Sequence, residues 1–387
     1  MDIDSLLNEN KSSIIELSKE IYNLAEPGSR EYKSSGLIMD KLRENGFTIT
    51  NPYMNMKTAF RAEYGVGTPV VGLLTEYDAL PNGHSCGHNL IAAWSYGTAV
   101  ILKSLIKNGK IVVFGTPSEE GIGDYAGSKA VMAANNAFNN VDFVIGMHPD
   151  DRWAVGSKAL ADAEIEFTFK GIASHMAASP DYGINALDAL VTSYVAINNM
   201  RDSVKNDKHA VIGMIIKEGG KASNIIPDRT VLEVDIRSTS SEFLLPFVDK
   251  IKNLVKSVSD GFGTTLNIRD LMPVYTEYKF NKTIDSILYS ELEKLNIKPL
   301  NIDENDEIAS SSTDEANVSI KVPVGHIDMK IGTNLPGHSD EFRDAADPEN
   351  NVSRLLITVK AAVNTILYIM ENGNILKKIK SEFDNYE

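Results

Sequence analysis

Three apolar runs, each closing on cysteine, histidine or paired glutamate, constrain this chain more than any bulk property. PVVGLLTEYDALP leads into NGHSCGHNL, KIVVFGTP into SEEG, and VDFVIG into MHP. Short, nearly continuous apolar runs suit strands buried on both faces of a sheet. A long apolar helix is expected between the first two, over roughly Leu90 to Lys107, and a Gly-rich loop and a helix before the third. This β-α-β-α order predicts a largely parallel sheet covered by helices. Ligands bind such sheets at the carboxyl ends of the strands, where all three loops lie.

The flanking sequence fits one plan. Ile14, Leu17, Ile21 and Leu24 recur at helical spacing over residues 3–25, and Pro27-Gly28 ends that helix. A second helix is expected to run to Gly46, followed by a strand-like run, KTAFRAEYG. From about Asp162 the rhythm changes. EIEFTFKG, VIGMIIKEGG and TVLEVDIRS alternate as half-exposed strands do, TTLNIRDL adds a fourth strand, and helices are expected over about Ile184 to Met200 and Ser241 to Ser259. Strand-helix-strand-strand-helix-strand is the split β-α-β plan of a small α+β domain. Helix-strand alternation resumes after about Tyr275 and ends in a helix over about Pro348 to Glu371. The fold class expected is therefore α/β with a mainly parallel central sheet, built from residues 1–161 and 274–387. Residues 162–273 form an inserted α+β domain that reads as a lid.

Composition narrows the function. At 387 residues two domains are favoured, since single cores stop growing at roughly 250–300 residues. Lys and Arg number 38 against 53 Asp and Glu, a net charge of −15. Such a surface repels phosphate backbones and argues against a nucleic-acid partner. Cys86 is the single cysteine, so no internal disulfide is possible, as suits a reducing compartment. MDIDSLLNENKSS lacks the basic and apolar blocks of a secretory signal. No apolar stretch is read as approaching the ~20 residues that cross a bilayer. The expectation is a cytoplasmic protein without a membrane partner.

Alone, Cys86-x-His88 would read as a buried thiol beside a structural histidine. Glu119 and Glu120, at the end of the next strand, would read as a solvated pair, except that no helical face is there to solvate them. His148 ends a third strand, and His338 lies in the Gly-rich loop of LPGHSDEF. Together Cys86, His88, Glu120, His148 and His338 make a mixed S/N/O donor set suited to zinc or manganese. Five donors exceed one tetrahedral ion and suit two ions sharing a bridge, roughly 3.5–4 Å apart. Glu119 is then the spare carboxylate, free to accept a proton. His84 and His326 read as structural, and His209 as exposed.

NGHSCGHNL, GTPSEEG, GMHP, GIASHMAASPDYGINALDAL, NIIPDRTVLEVDIRS, STDEANVS and GHSDEF occur in the order found in the metallopeptidase-20 family. The chain resembles that family from Ala25 to its last helix. Cys-Gly-His-Asn, with EYDALP before it, resembles the branch of p-aminobenzoyl-glutamate hydrolase and the β-alanyl-lysine-type dipeptidases. The resemblance implies a zinc-peptidase-like catalytic domain with a lid that also dimerises. It implies two divalent ions held by Cys86, His88, Glu120, His148 and His338, with Glu119 as general base. It implies that His175 stabilises the tetrahedral intermediate, often across a dimer, and that Asn224 and Arg237 hold the substrate amide and carboxylate. Arg237 also suits bidentate carboxylate capture by its own chemistry. The wider family has His-x-Asp where this chain has Glu76-Tyr77-Asp78. That departure leaves the bridging ligand open and suggests Asp78 as a group orienting a ligand.

The activity implied is hydrolysis of the amide bond of an N-acyl amino acid or dipeptide, by a homodimer joined through the lid. The competing readings are a cysteine-nucleophile hydrolase using Cys86 and His88, and a non-catalytic binding protein on the same scaffold.

Overall fold

The computed structural model describes residues 2–204, 210–302, 304 and 309–386, and His209 lies outside the described residues. The chain opens with α1 (Ile3–Leu24), α2 (Tyr32–Glu44), β1 (Thr48–Thr50) and β2 (Phe60–Val66). β3 (Val70–Thr75), α3 (His88–Leu105), β4 (Gly109–Gly115), α4 (Ser128–Ala134), β5 (Phe143–Asp150) and the two-residue β6 (Ala154–Val155) follow. The middle section holds β7 (Ala161–Lys170), α5 (Ala186–Val204), β8 (Val211–Glu218), β9 (Arg229–Ser238), α6 (Ser241–Gly261) and β10 (Thr265–Asp270). α7 (Lys282–Lys294), β11 (Leu300–Asn301), α8 (Glu315–Ser319), β12 (Val324–Lys330), α9 (Asp340–Ala345), α10 (Pro348–Glu371) and α11 (Gly373–Asp384) complete it.

Two compact units result. The first comprises Met1–Lys158, Tyr278–Ile308 and Asp314–Glu387; the second comprises Ala159–Glu277 and Ala309–Thr313. The short return of 309–313 carries no sequence signal. It is tied to the second unit by the Leu160 N–H, which donates to Ser311 O at 2.9 Å.

The first unit is built on an eight-stranded sheet in the order β1-β2-β4-β3-β5-β12-β6-β11. Its centre, β4-β3-β5-β12, is parallel throughout. The run KTAFRAEYG becomes β2, which pairs antiparallel with β4 and extends the sheet toward β1. β3 is buried along its whole length, as a central parallel strand should be. α3 is buried at every position from His88 to Leu102, because it is apolar on all faces rather than along one stripe. Its start at His88, two residues earlier than expected, places a candidate donor on the helix itself.

α1 begins at Asp2, whose side chain accepts from the Ser5 N–H at 2.8 Å, a standard N-cap. Its stripe of Ile14, Leu17 and Ile21 is fully buried, and α1 packs against α3. Gly97 permits the close approach, since a Cβ there would stand 2.7 Å from Ile14 Cδ1. α10 corrects one expectation. Its 24 residues have a window of mean hydropathy 1.4 and satisfy the length and composition of a membrane span. Half of that window is buried, with Leu355, Val359, Ala362, Ile366 and Ile369 in the core of this unit.

In the second unit a four-stranded antiparallel sheet, β10-β7-β9-β8, packs around a core shared with α5 and α6. Phe167, Phe169, Leu232, Val234, Leu190 and Ile251 are fully buried there. β8 is an edge strand with Val211, Ile215 and Ile216 exposed.

Gly146 lies on β5, two residues before His148, and a Cβ there would collide with Glu315 Oε2. Glu315 cannot yield, because its Oε1 accepts from the Tyr278 hydroxyl at 2.9 Å and lies 2.7 Å from His326 Nδ1. Gly146→Ala should therefore destabilise the protein by about 1–3 kcal/mol, the cost of overpacking a filled interior. A lower urea midpoint with an unchanged m-value is the expected readout.

Candidate metal centre

The donors sit where strands of the parallel sheet run out. β3 ends at Thr75, and Glu76 and Asp78 follow at once. The next loop brings Cys86 and ends at His88, the first residue of α3. β4 is followed by Glu119 and Glu120, β5 carries His148, and the segment after β12 carries His338. The last joins the others through its backbone, as the His338 N–H donates to Ser85 O at 3.1 Å. Its side chain is 58% exposed, whereas that of His88 is wholly buried.

Cys86, His88 and His148 bring their donor atoms within 4.8 Å of one another, and so do Cys86, Glu120 and His338. Cys86 Sγ lies 3.3 Å from His148 Nε2, and Glu120 Oε2 lies 3.4 Å from His338 Nε2. All five sequence-predicted donors are thus assembled, with Cys86 common to both groups. A third group holds Glu76, His88 and Glu119. Glu119 Oε2 stands 3.7 Å from His88 Nε2. Asp78 touches two of these elements: its backbone O and Oδ1 lie 3.0 and 3.1 Å from His88 Nδ1, and its Oδ2 accepts from the Glu120 N–H at 3.2 Å.

Three groups here escaped sequence reasoning. Lys129 is fully buried and reaches Glu76 Oε1 at 2.8 Å and Asp314 Oδ1 at 2.5 Å. Asp314 belongs to the STDEANVS motif, which the sequence singles out without a role; Lys129 carries no signal. Glu31, also fully buried, accepts from the Ser118 N–H at 2.9 Å. It thereby pins a left-handed residue (φ 57°) immediately before Glu119, a strained conformation of the kind that gathers at functional sites.

The electrostatics call for a cation. Glu76, Asp78, Glu119, Glu120 and Asp314 crowd around the Lys129 ammonium and the His88 ring, which, against the cost of burial, Cys86 and Asp78 raise well above its usual value. Burial raises the Glu119 carboxyl, and the charge of Glu76 raises it further. Burial likewise pushes Glu120 up to about 8, reinforced by Glu119. Burial and the neighbouring Glu120 raise the Cys86 thiol well above its usual value, so without a cation it is no thiolate nucleophile. Buried His88 Nε2, Glu76 Oε2 and Glu120 Oε1 have no hydrogen-bond partner. Orphaned lone pairs beside surplus carboxylates fit divalent ions.

The other candidate residues lie in the second unit. His175 is exposed, and its Nδ1 accepts from the Ala177 and Ala178 N–H groups at 3.3 and 3.2 Å. Asn224 stands beside it, its carbonyl accepting from the Met176 N–H at 3.1 Å. Arg237 is not brought to them. It lies eight residues along β9 from Arg229, about 26 Å by strand rise, and His175 and Asn224 lie beyond the Arg229 end. Its Nε is 3.2 Å from both Asp162 Oδ2 and Asp235 Oδ2. Of the remaining histidines, buried His84 meets Ile21 O at 2.9 Å through Nε2, and His326 lies between Glu315 and Asp328.

A sulfur, nitrogen and carboxylate donor set at the carboxyl edge of a parallel α/β sheet defines a metal-dependent hydrolase scaffold. Comparison with known proteins names it. Residues 155–261 match the peptidase dimerisation domain of M20 enzymes. The chain is 31% identical over 384 residues to the Xaa-Arg dipeptidase of Mus musculus, covering 95% of this chain and 88% of that one. It is 26% identical to a chain of the p-aminobenzoyl-glutamate hydrolase of Escherichia coli, over 78% of this chain and 66% of the relative. Its fold matches that of a dinuclear metal-binding M20 peptidase from Bacillus subtilis with a TM-score of 0.65 at 19% identity, covering 94% and 99% of the two chains. The chain belongs to the M20 family of metallopeptidases and is a hydrolase of amide bonds.

The raised acids carry a pH signature. Burial, then the charge of Asp78, pushes Glu31 up to about 7 from 4.5. Burial pushes Asp314 up to about 7 as well. Between those limits the folded protein holds protons that the unfolded chain has released, so stability falls as pH rises. Metal-free protein should therefore melt at progressively lower temperature from pH 5 to pH 8. Glu31→Gln keeps an acceptor for Ser118 and should flatten the part of that slope between 4.5 and 7. Thermal melts of chelator-treated protein across the range provide the check.

Proposed function

We propose that this protein hydrolyses the amide bond of a dipeptide or N-acyl amino acid bearing a free carboxylate, using two divalent ions. The observation that carries the reading is the pair of donor groups sharing Cys86. One ion would be held by Cys86, His88 and His148, the other by Cys86, Glu120 and His338, with zinc or manganese suited to the set. Such ions act as Lewis acids, polarising a carbonyl and lowering the pKa of water.

The chain's own residues supply the rest. Asp78 fixes the tautomer and orientation of His88, the usual service of a carboxylate behind a histidine ligand. Glu119 accepts a proton from the attacking water and returns it to the departing amine, one group serving in both directions. His175 donates to the oxyanion, and Asn224 holds the substrate amide. The part of the Arg237 guanidinium beyond its tethered Nε receives the substrate carboxylate. The relatives named above support the substrate class.

The span of β9 favours a homodimer, consistent with the dimerisation-domain match. One small substrate cannot meet Arg237 and the His175–Asn224 pair of the same chain. We propose that His175 and Asn224 serve the partner's substrate, as the family resemblance implies for His175. The exposed apolar edge at β8 offers a surface for strand pairing. A cysteine-nucleophile mechanism is disfavoured by the raised Cys86 thiol. A purely binding role is disfavoured by the retention of Glu119 beside a full donor set.

Glu119→Gln should lower kcat by at least ~10²-fold, the scale of a lost proton-transfer group, while elemental analysis still finds two ions per chain. Chelation should abolish activity of the parent enzyme, and added zinc or manganese should restore it. Activity that survives chelation but not alkylation would return the reaction to Cys86.

Mixed dimers test the division of labour. Neither Glu119→Gln nor His175→Ala should act alone. Refolded together, they should recover about a quarter of parent activity, because half the dimers are mixed and each then has one intact site. No recovery would place His175 in its own chain's site.

A further inference from the structure

Glu76 stands where the wider family's motif has histidine, and its surroundings point to a use. The side chain is 6% exposed. Oε1 is bound from outside the centre by Lys129 Nζ at 2.8 Å. Lys129 is itself held at both ends by one residue. Its ammonium meets Asp314 Oδ1 at 2.5 Å, and its backbone N–H donates to Asp314 Oδ2 at 2.8 Å. Glu76 therefore cannot turn away, and only Oε2 is left to act.

Oε2 faces His88 Nε2 at 3.4 Å, and neither atom has a hydrogen-bond partner. His88 Nδ1 lies against two acceptors, Asp78 O and Oδ1, so in the neutral ring the hydrogen belongs there and Nε2 presents a lone pair. In metal-free protein a proton on Nε2 joins these two atoms as an ion pair; a ligating histidine must be neutral, and a divalent ion between them would then take the proton's place. Nitrogen and oxygen donors on one tetrahedral zinc, each about 2.0–2.2 Å from it, stand about 3.4 Å apart. The observed 3.4 Å separation fits two ligands of one ion as well as it fits an ion pair. Glu76 groups with His88 and Glu119, and is absent from the Cys86, Glu120 and His338 group. Its influence should fall on one ion alone.

We propose that Glu76 is a further donor to the ion held through His88, and that Lys129 is the positioning residue that presents it. The proposal rests on the two-ion reading above. It gives a use to two buried charges and to the STDEANVS motif, whose Asp314 anchors Lys129.

Zinc binding to metal-free protein, measured by competition with a chromophoric chelator, tests it without reference to activity. The parent should show two dissociation constants. Glu76→Gln, an isostere, should weaken one by about 10–100-fold and leave the other within about threefold. Lys129→Met should change the same constant and have no further effect in the Glu76→Gln background. Cobalt(II) spectra of parent and Glu76→Gln provide a second measurement should Lys129→Met fail to fold. The thiolate band should persist and the ligand-field bands should change. Two unchanged constants with an unchanged cobalt spectrum, or equal weakening of both ions, would overturn the proposal while leaving the two-ion reading intact. A parent that binds fewer than two ions would defeat that reading instead.

Discussion

A surplus of buried carboxyl groups at the carboxyl end of the central strands is the constraint on which the rest of this structure depends. Glu76, Asp78, Glu119, Glu120 and Asp314 are packed close together around the Lys129 ammonium and the His88 ring. Buried carboxylates are costly, and the fold tolerates them because the surrounding groups are held from behind. Lys129 ties Glu76 to Asp314, Asp78 binds both His88 and the Glu120 backbone, and Glu31 fixes the turn before Glu119. The surplus that remains faces inward, toward the donor atoms. A hydrophobic replacement of these groups would stabilise the chain but remove what attracts a cation.

Much of this was legible in the sequence because strand ends are close in space even when far apart in the chain. Once PVVGLLTE, KIVVFGTP and VDFVIG are read as neighbouring parallel strands, Cys86, His88, Glu120 and His148 must converge, whatever the loops do. His338 stood out by residue type in a Gly-rich loop, and the family resemblance supplied its place among the others, since nothing in LPGHSDEF gives its distance from them. Lys129 and Asp314 were not legible, for a physical reason. A buried ion pair is recognised by its partner, and these two are 185 positions apart. Glu31 was invisible in the same way. A glutamate that accepts from a distant backbone N–H looks, in sequence, like any surface acid.

The second unit shows a different limit. Alternation in EIEFTFKG and TVLEVDIRS predicts strands, and both form, with Phe167, Phe169, Leu232 and Val234 all buried. It does not say which ends of the strands serve one substrate. His175, Asn224 and Arg237 all belong to family motifs, yet the length of β9 separates the last from the first two. On the proposed dimer, a list of functional residues read from motifs is shared between chains, and the strand rise is what divides it.

The helix α3, buried on every face, has one more consequence. His88 is the first residue of a rod locked into the core, whereas His338 hangs from an exposed loop at a left-handed residue. On the proposed occupancy, the two ions would rest on supports of unequal stiffness. The one seated through α3 would exchange slowly with solution. The one seated through the loop would have one exposed support beside Cys86 and the largely buried Glu120, and would exchange faster.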